Sequence, residues 1–183
     1  QIGWVTRTNG FVASAGEAGP YGDFDLSPDE KRIAVTRQET GAAGADIWVV
    51  EWQRAGVATP LTLDPGDDIG PVWSPNNTDV AFTSYRKGNA DIYVKSTVGG
   101  EETPLLATPA NEIVKAWSAD GKYLAYLVEH DNVQDIYALP LASDGKASPD
   151  AKPFPVVTGP FQKNEPQFSP DGHWLAYTAE AGG

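Results

Sequence analysis

This 183-residue sequence has no cysteine and no methionine, and only two histidines. Without cysteine there can be no disulfide framework, no thiolate nucleophile and no zinc site with sulfur ligands. Basic residues are also scarce: 13 Lys and Arg stand against 25 Asp and Glu, a net charge of -12. Affinity for a phosphate backbone comes from Lys and Arg displacing counterions, so no nucleic-acid partner is expected, and anionic membrane surfaces are disfavoured for the same reason. No window approaches the ~18 consecutive apolar residues of a membrane helix, so no membrane insertion is expected. The first twenty residues lack the basic start and apolar run of a signal peptide. With no initiator Met either, the chain is expected to be a processed product or a part cut from something longer. A sustained 3.6-residue periodicity is missing too, which argues against a helical solenoid.

What the sequence does contain is a repeat. Four segments align: DLSPDEKRIAVT from 25, VWSPNNTDVAFT from 72, AWSADGKYLAYL from 116 and QFSPDGHWLAYT from 167. Their serines, Ser27, Ser74, Ser118 and Ser169, are 47, 44 and 51 residues apart. A second motif keeps step in the first three units: ADIWVV at Asp46, ADIYVK at Asp91 and QDIYAL at Asp135. Each unit reads as four short antiparallel strands. Ser-Pro-Asp-Gly supplies the first turn, with Pro fixing φ, Asp bonding the backbone ahead of it and Gly accepting a positive φ. A period of ~40–50 residues with four strands per unit is the signature of a β-propeller.

The fourth unit stops after its second strand. The N-terminal stretch supplies the missing half: Trp4-Val5 matches Trp48-Val49, Thr8-Asn9-Gly10 is a hairpin turn, and Phe11 to Ser14 make an outermost strand. We therefore expect an all-β propeller of four four-stranded units, closed by pairing N-terminal with C-terminal strands. Its split blade would be 1–18 with 166–183, and its other blades about 22–64, 70–107 and 114–158. Closure within one chain gives a four-bladed monomer, and closure between two gives an eight-bladed ring from a homodimer. A third reading makes the units part of a longer propeller, and a closed structure is expected over an open fragment.

The stretches VWSPNNTDVAFTSYRKGNADIYV and FSPDGHWLAYT resemble the WD40-like (PD40) repeats of the TolB family, and the resemblance covers essentially the whole chain. Similar units occur beside bacterial membrane kinases and ahead of the hydrolase domain of prolyl-oligopeptidase-like enzymes. The resemblance implies a non-enzymatic interaction module, periplasmic or otherwise extracytoplasmic, with a protein or peptide ligand. Asn76-Asn77, Ala119 and Glu30 depart from the motif but still suit turns.

Little here points to catalysis. His173 sits in a turn, and His130 lies in EHDN (Glu129 to Asn132), read as a polar loop. Neither has a partner at metal-ligand spacing, and no G-x-S-x-G elbow is present. No cofactor and no metal are expected. The spacing of Asp64, Asp67 and Asp68 does not match an EF-hand, although the three could supply oxygen ligands to Ca²⁺. The motif aspartates recur by unit, which points to structural hydrogen bonds. The rival reading is a carboxylate-based hydrolase acting on glycan.

Residues that vary between units are the candidates for recognition. Loops entering the innermost strands would bring Asp23, Asp67, Asp68, Glu112, Asn164 and Glu165 to one face. Tyr85 and Arg86 would join them from a loop between second and third strands. This acidic face is expected to receive a protein, peptide or cationic ligand; the plainer alternative is a solvated rim. Trp73, Trp117 and Trp48 fall on repeat positions and are assigned to interblade packing, which leaves Trp52 as a surface candidate.

Overall fold

The computed structural model describes residues 2–8, 10–15, 19–51, 54, 57–130, 133–147 and 152–180. Among the described residues, sixteen strands form three four-stranded antiparallel sheets flanked by two hairpins. The first hairpin pairs β1 (Ile2–Thr6) with β2 (Gly10–Ala15). Blade 1 contains β3 (Tyr21–Leu26), β4 (Arg32–Gln38), β5 (Ala45–Glu51) and β6 (Val57–Pro60). Blade 2 contains β7 (Asp68–Trp73), β8 (Asp79–Ser84), β9 (Asp91–Ser96) and β10 (Thr103–Leu106). Blade 3 contains β11 (Asn111–Trp117), β12 (Tyr123–His130), β13 (Val133–Pro140) and β14 (Phe154–Val157). The last hairpin pairs β15 (Lys163–Phe168) with β16 (Leu175–Ala179). Each sheet is a simple meander in chain order, and the first strands of successive sheets line up side by side.

The repeated turn has the same hydrogen bonds in all four units. In the first, Ser27 N–H reaches the Arg32 carbonyl at 2.9 Å, Arg32 N–H returns to Ser27 Oγ at 2.9 Å, and the Ser27 hydroxyl donates to Asp29 Oδ1 at 2.7 Å. Ser74, Ser118 and Ser169 repeat the arrangement with Asn76, Asp120 and Asp171 as acceptors. The fourth turn position is left-handed throughout: φ is 59° at Glu30, 64° at Asn77, 76° at Gly121 and 71° at Gly172. Glycine suits that conformation best, and Asn tolerates it better than Glu. Asn77 also stitches two blades together, because its Oδ1 accepts the Asp29 N–H at 2.8 Å.

Side chains along each second strand alternate between the two flanking blades, as the period of two requires. Ala34 of β4 faces blade 2 with Ile47 and Leu61, against Trp73, Val80, Phe82 and Tyr93. Ile33 and Val35 face the other way, where Ile2 of the first hairpin packs. Between blades 2 and 3, Val72, Ala81, Ile92 and Leu105 meet Val114, Leu124, Tyr126 and Leu139. The expected interblade tryptophans fit this plan: Trp73 is buried, while Trp117 and Trp48 are half-buried at the second and outer clusters. Trp52 lies outside the described residues. A threonine ties each of two junctions: Thr36 Oγ1 accepts the Gly70 N–H at 3.1 Å, and Thr83 Oγ1 accepts the Val114 N–H at 3.0 Å.

Among the described residues the expected pairing of the two chain ends is not formed within the chain. The end hairpins remain separate two-stranded sheets, with no ladder joining β1 to β16 among the described residues. The consequence shows at β16, where Tyr177 is 44% exposed while its repeat counterpart Tyr126 is 2% exposed.

Candidate functional site

The first strands of the blades enclose a cavity of about 430 Å³ on the inner side of the arc. From β3 come Asp23, Phe24 and Asp25, and from β15 come Glu165 and Gln167. Between them β7 contributes Gly70 and Val72, and β11 contributes Val114, Lys115 and Ala116. Counting back from the repeat serine, Asp23 and Glu165 occupy the position held by Gly70 and Val114. Asp25 and Gln167 occupy the position held by Val72 and Ala116. The cavity is therefore acidic at its two ends and apolar in the middle.

The charges in it are not equivalent. Lys115 Nζ lies 3.0 Å from Glu165 Oε1, a pair that joins blade 3 to the last hairpin and leaves Glu165 partly neutralised. Asp25 Oδ2 accepts the Trp73 N–H at 2.7 Å, across the first junction. Burial pushes the Asp25 carboxyl above the usual carboxylate range, and the hydrogen bond from Trp73 offsets only part of that effect. Asp23 is exposed beside it, and Phe24 presents an exposed ring on the same strand. A second cavity of about 350 Å³ lies at the turn end of the same strands, bordered by Leu26, Trp73, Trp117 and Phe168.

Of the recognition residues expected from sequence, Asp23 and Glu165 line the main cavity and the others do not. Asn164 is half-buried on β15, with its carbonyl accepting the Thr178 hydroxyl at 3.2 Å. Asp68, Glu112, Asn164 and Glu165 were expected in loops but sit at the starts of strands, held there by pairing such as Asp68 with Ser84 and Glu112 with Val128. Asp68 is fully buried, with the Arg86 guanidinium at 3.1 Å. Arg86 also reaches Glu102 at 2.6 Å and covers the Tyr93 ring at 4.3 Å, so its charge is spent inside the protein. Asp67 is exposed, but its Oδ1 accepts the Ala45 N–H of blade 1 at 2.8 Å. Tyr85 is half-buried, and burial followed by the charges of Glu129 and Asp67 raises its phenol. Glu112 is buried and bonded to the Thr108 hydroxyl.

Asp64, considered for Ca²⁺, caps its own turn by accepting the Gly66 N–H at 3.0 Å. Among the described residues no group of three or more His, Cys, Asp or Glu is arranged to hold a metal. His173 is exposed in its turn, 3.4 Å from Asp171. His130 departs from the sequence reading: it ends β12, not a loop, and its Nε2 lies 2.6 Å from Asp135 Oδ2. Asp135 in turn holds the buried Lys163 ammonium at 2.6 Å.

The sequence reading missed Asp25, Lys115, Lys163 and the cavity-lining role of Phe24. It looked to loops for recognition, whereas the wall is built from strands. The usable signal was the repeat alignment, in which Asp25 faces Val72 and Ala116, and Lys163 faces Asp68 and Glu112.

The family model for the TolB β-propeller domain matches residues 12–183. The chain belongs to the TolB β-propeller family. TolB from Acinetobacter baumannii superimposes with a TM-score of 0.71 at 18% identity, covering 93% of this chain and 40% of that one. A protein from Agrobacterium tumefaciens assigned as TolB gives 0.67 at 20% identity, covering 88% of this chain and 59% of its own. Both likenesses are of fold. An uncharacterised peptidase of Bacillus subtilis (strain 168), YuxL, is 34% identical over 84 residues, which are 43% of this chain and 13% of that protein. This chain thus spans 40%, 59% and 13% of these three relatives, less than two thirds of each.

Proposed function

We propose that this chain is a non-enzymatic binding scaffold whose inner cavity takes a protein segment or peptide carrying a positive charge beside an apolar side chain. The observation that carries the reading is the break in the repeat at the cavity wall. Asp23 and Asp25 replace the small or apolar residues of the middle units, and Phe24 stands between them. A cation entering here meets two carboxylates on one strand, while Lys115 already holds Glu165 on the far side. Val72, Val114 and Ala116 supply the apolar surface between. The reading carries an extracytoplasmic location with it, by kinship with the TolB family. No helix among the described residues is long and apolar enough to cross a membrane.

Calorimetry with a capped hexapeptide of alternating Lys and Leu tests it. Binding should be lost in Asp23→Asn/Asp25→Asn and kept in Glu101→Gln/Asp144→Asn, which neutralises two acids away from the cavity. Equal weakening by both pairs would mean a response to net charge alone and would refute a site. The peptidase-named relative supplies the rival class. A panel of peptide and glycoside substrates is expected to show no turnover, and turnover would replace the scaffold by an enzyme.

A second reading concerns assembly. β15–β16 repeats the first two strands of a blade and β1–β2 the last two, so two copies exchanging halves would make an eight-bladed ring. Light scattering should then give twice the 19.5 kDa chain mass, and a monomer at all concentrations would dispose of this ring.

A further inference from the structure

Each junction between successive blades places the motif aspartate of one blade near the first acidic or basic side chain of the next blade's inner strand. The chemistry differs at each. At the first junction Asp46 feels the charge of the buried Asp68, and Arg86 bonds Asp68 directly. At the third, Asp135 meets Lys163. At the second, Asp91 and Glu112 are each 2% exposed, and among the described residues neither has a cation within ion-pair distance.

The groups that face Glu112 are known from every side. From β9 comes Asp91, a like charge, and from β12 the Tyr126 phenol. From the preceding loop, Thr108 donates its hydroxyl and, at 3.4 Å, its N–H. The backbone of Glu112 is itself part of the junction, because its N–H donates to the Ala90 carbonyl at 2.8 Å. Asn89 closes the other side, bonding Asp91 Oδ1 at 3.0 Å and the carbonyls of Thr108 and Ala110. Burial and the neighbouring Asp91 charge both oppose ionisation of Glu112.

We propose that the junction between blades 2 and 3 is a proton-controlled hinge, in which the buried Glu112, set near Asp91 with no cation between them among the described residues, holds a proton at low pH and loses it, loosening the junction, as the pH rises. Burial first and the Asp91 charge second push Glu112 above its ordinary 4.5. A raised acid contributes stability that is complete below the unfolded value and is lost as the pH climbs through the folded one. β11 runs from Glu112 into Val114 and Lys115 of the cavity wall, so the hinge reaches the proposed binding site. It does not depend on that site having a ligand.

The experiment has two readouts on the full chain. In the parent, the ¹³C carboxyl resonance of Glu112 should titrate at higher pH than that of Glu101. Glu112→Gln supplies a neutral isostere. As the pH rises from the ordinary 4.5 of a glutamic acid, the parent's Tm should fall relative to that of Glu112→Gln. A Glu112 resonance that titrates with Glu101, or parallel Tm curves for the two proteins, would overturn the proposal. If Glu112→Gln does not fold, the carboxyl titration of the parent decides alone.

Discussion

Replacing Lys163 by Met should be among the most damaging single changes in the protein, for a reason that can be worked through. The Lys163 side chain is 4% exposed and that of Asp135 is 6% exposed, with 2.6 Å between Nζ and Oδ1. Lys163 also donates to the Gly159 carbonyl at 2.5 Å, and the Gly159 N–H donates to Asp135 Oδ1 at 3.3 Å. Methionine keeps the length of the side chain and removes the charge, leaving the buried Asp135 with the half-exposed His130 and the Gly159 N–H. Breaking a buried pair from one side costs about 3–5 kcal/mol, because the surviving charge is stranded. The loss should depend on pH. Burial pushes Asp135 up, but the hydrogen bonds from Lys163 and then His130 outweigh it and hold the carboxyl below 3.8. A depressed acid contributes stability that is present above its unfolded value and disappears as the pH falls through the folded one. In Lys163→Met that depression is largely gone, so the gap between parent and variant should be widest near neutrality and narrow below about pH 4. Urea unfolding across that range measures it, and Lys163→Met/Asp135→Asn should recover more than half of the loss. A gap under about 1 kcal/mol at neutral pH, or one that does not change on acidification, would refute the reasoning.

Other perturbations test other parts of the structure. Phe82 is fully buried between blades 1 and 2, and Phe82→Ala should cost about 3–5 kcal/mol in urea unfolding. Gly66→Ala would set a Cβ 2.9 Å from the Arg86 backbone, so the loop carrying Asp67 must shift, at a cost of about 1–3 kcal/mol. Gly172→Ala meets no neighbour within 4 Å, yet at φ 71° it should cost about 1–2 kcal/mol from backbone strain alone. Thermal unfolding of the two glycine variants separates steric clash from backbone conformation: a Gly172→Ala protein as stable as the parent would show that the left-handed turn position is not strained.

The turns and sheets could be read from the sequence because their chemistry is local. Ser27 to Arg32 contains its own donors, acceptors and left-handed residue, and the same hydrogen bonds recur at Ser74, Ser118 and Ser169. The burial of Trp73 followed from its place in the repeat. The charged residues could not be read in the same way. A carboxylate such as Asp68 reads as solvent-exposed in one dimension, and only the packing of β7 against blade 1, with Arg86 folded over it, shows it to be buried. Glu112 and Lys163 stand at the same point of their units with opposite charges, so residue type did not decide burial there; the junction did. The cavity was misjudged for a related reason. Its walls are the inner strands, and Asp25 came into view only when aligned with Val72 and Ala116. Closure of the ring depends on the angle between blades, a sum of many side-chain volumes that no motif encodes.

The central claim is that recognition takes place on the inner strands at the acidic end of the cavity. Amide chemical-shift mapping of the ¹⁵N-labelled chain with the capped Lys-Leu hexapeptide tests it most directly. Perturbations should centre on Asp23 to Asp25 and extend to Val72 and Val114, with the outer strands β6, β10 and β14 unmoved. Shifts confined to those outer strands, or spread evenly over every exposed acid, would contradict it.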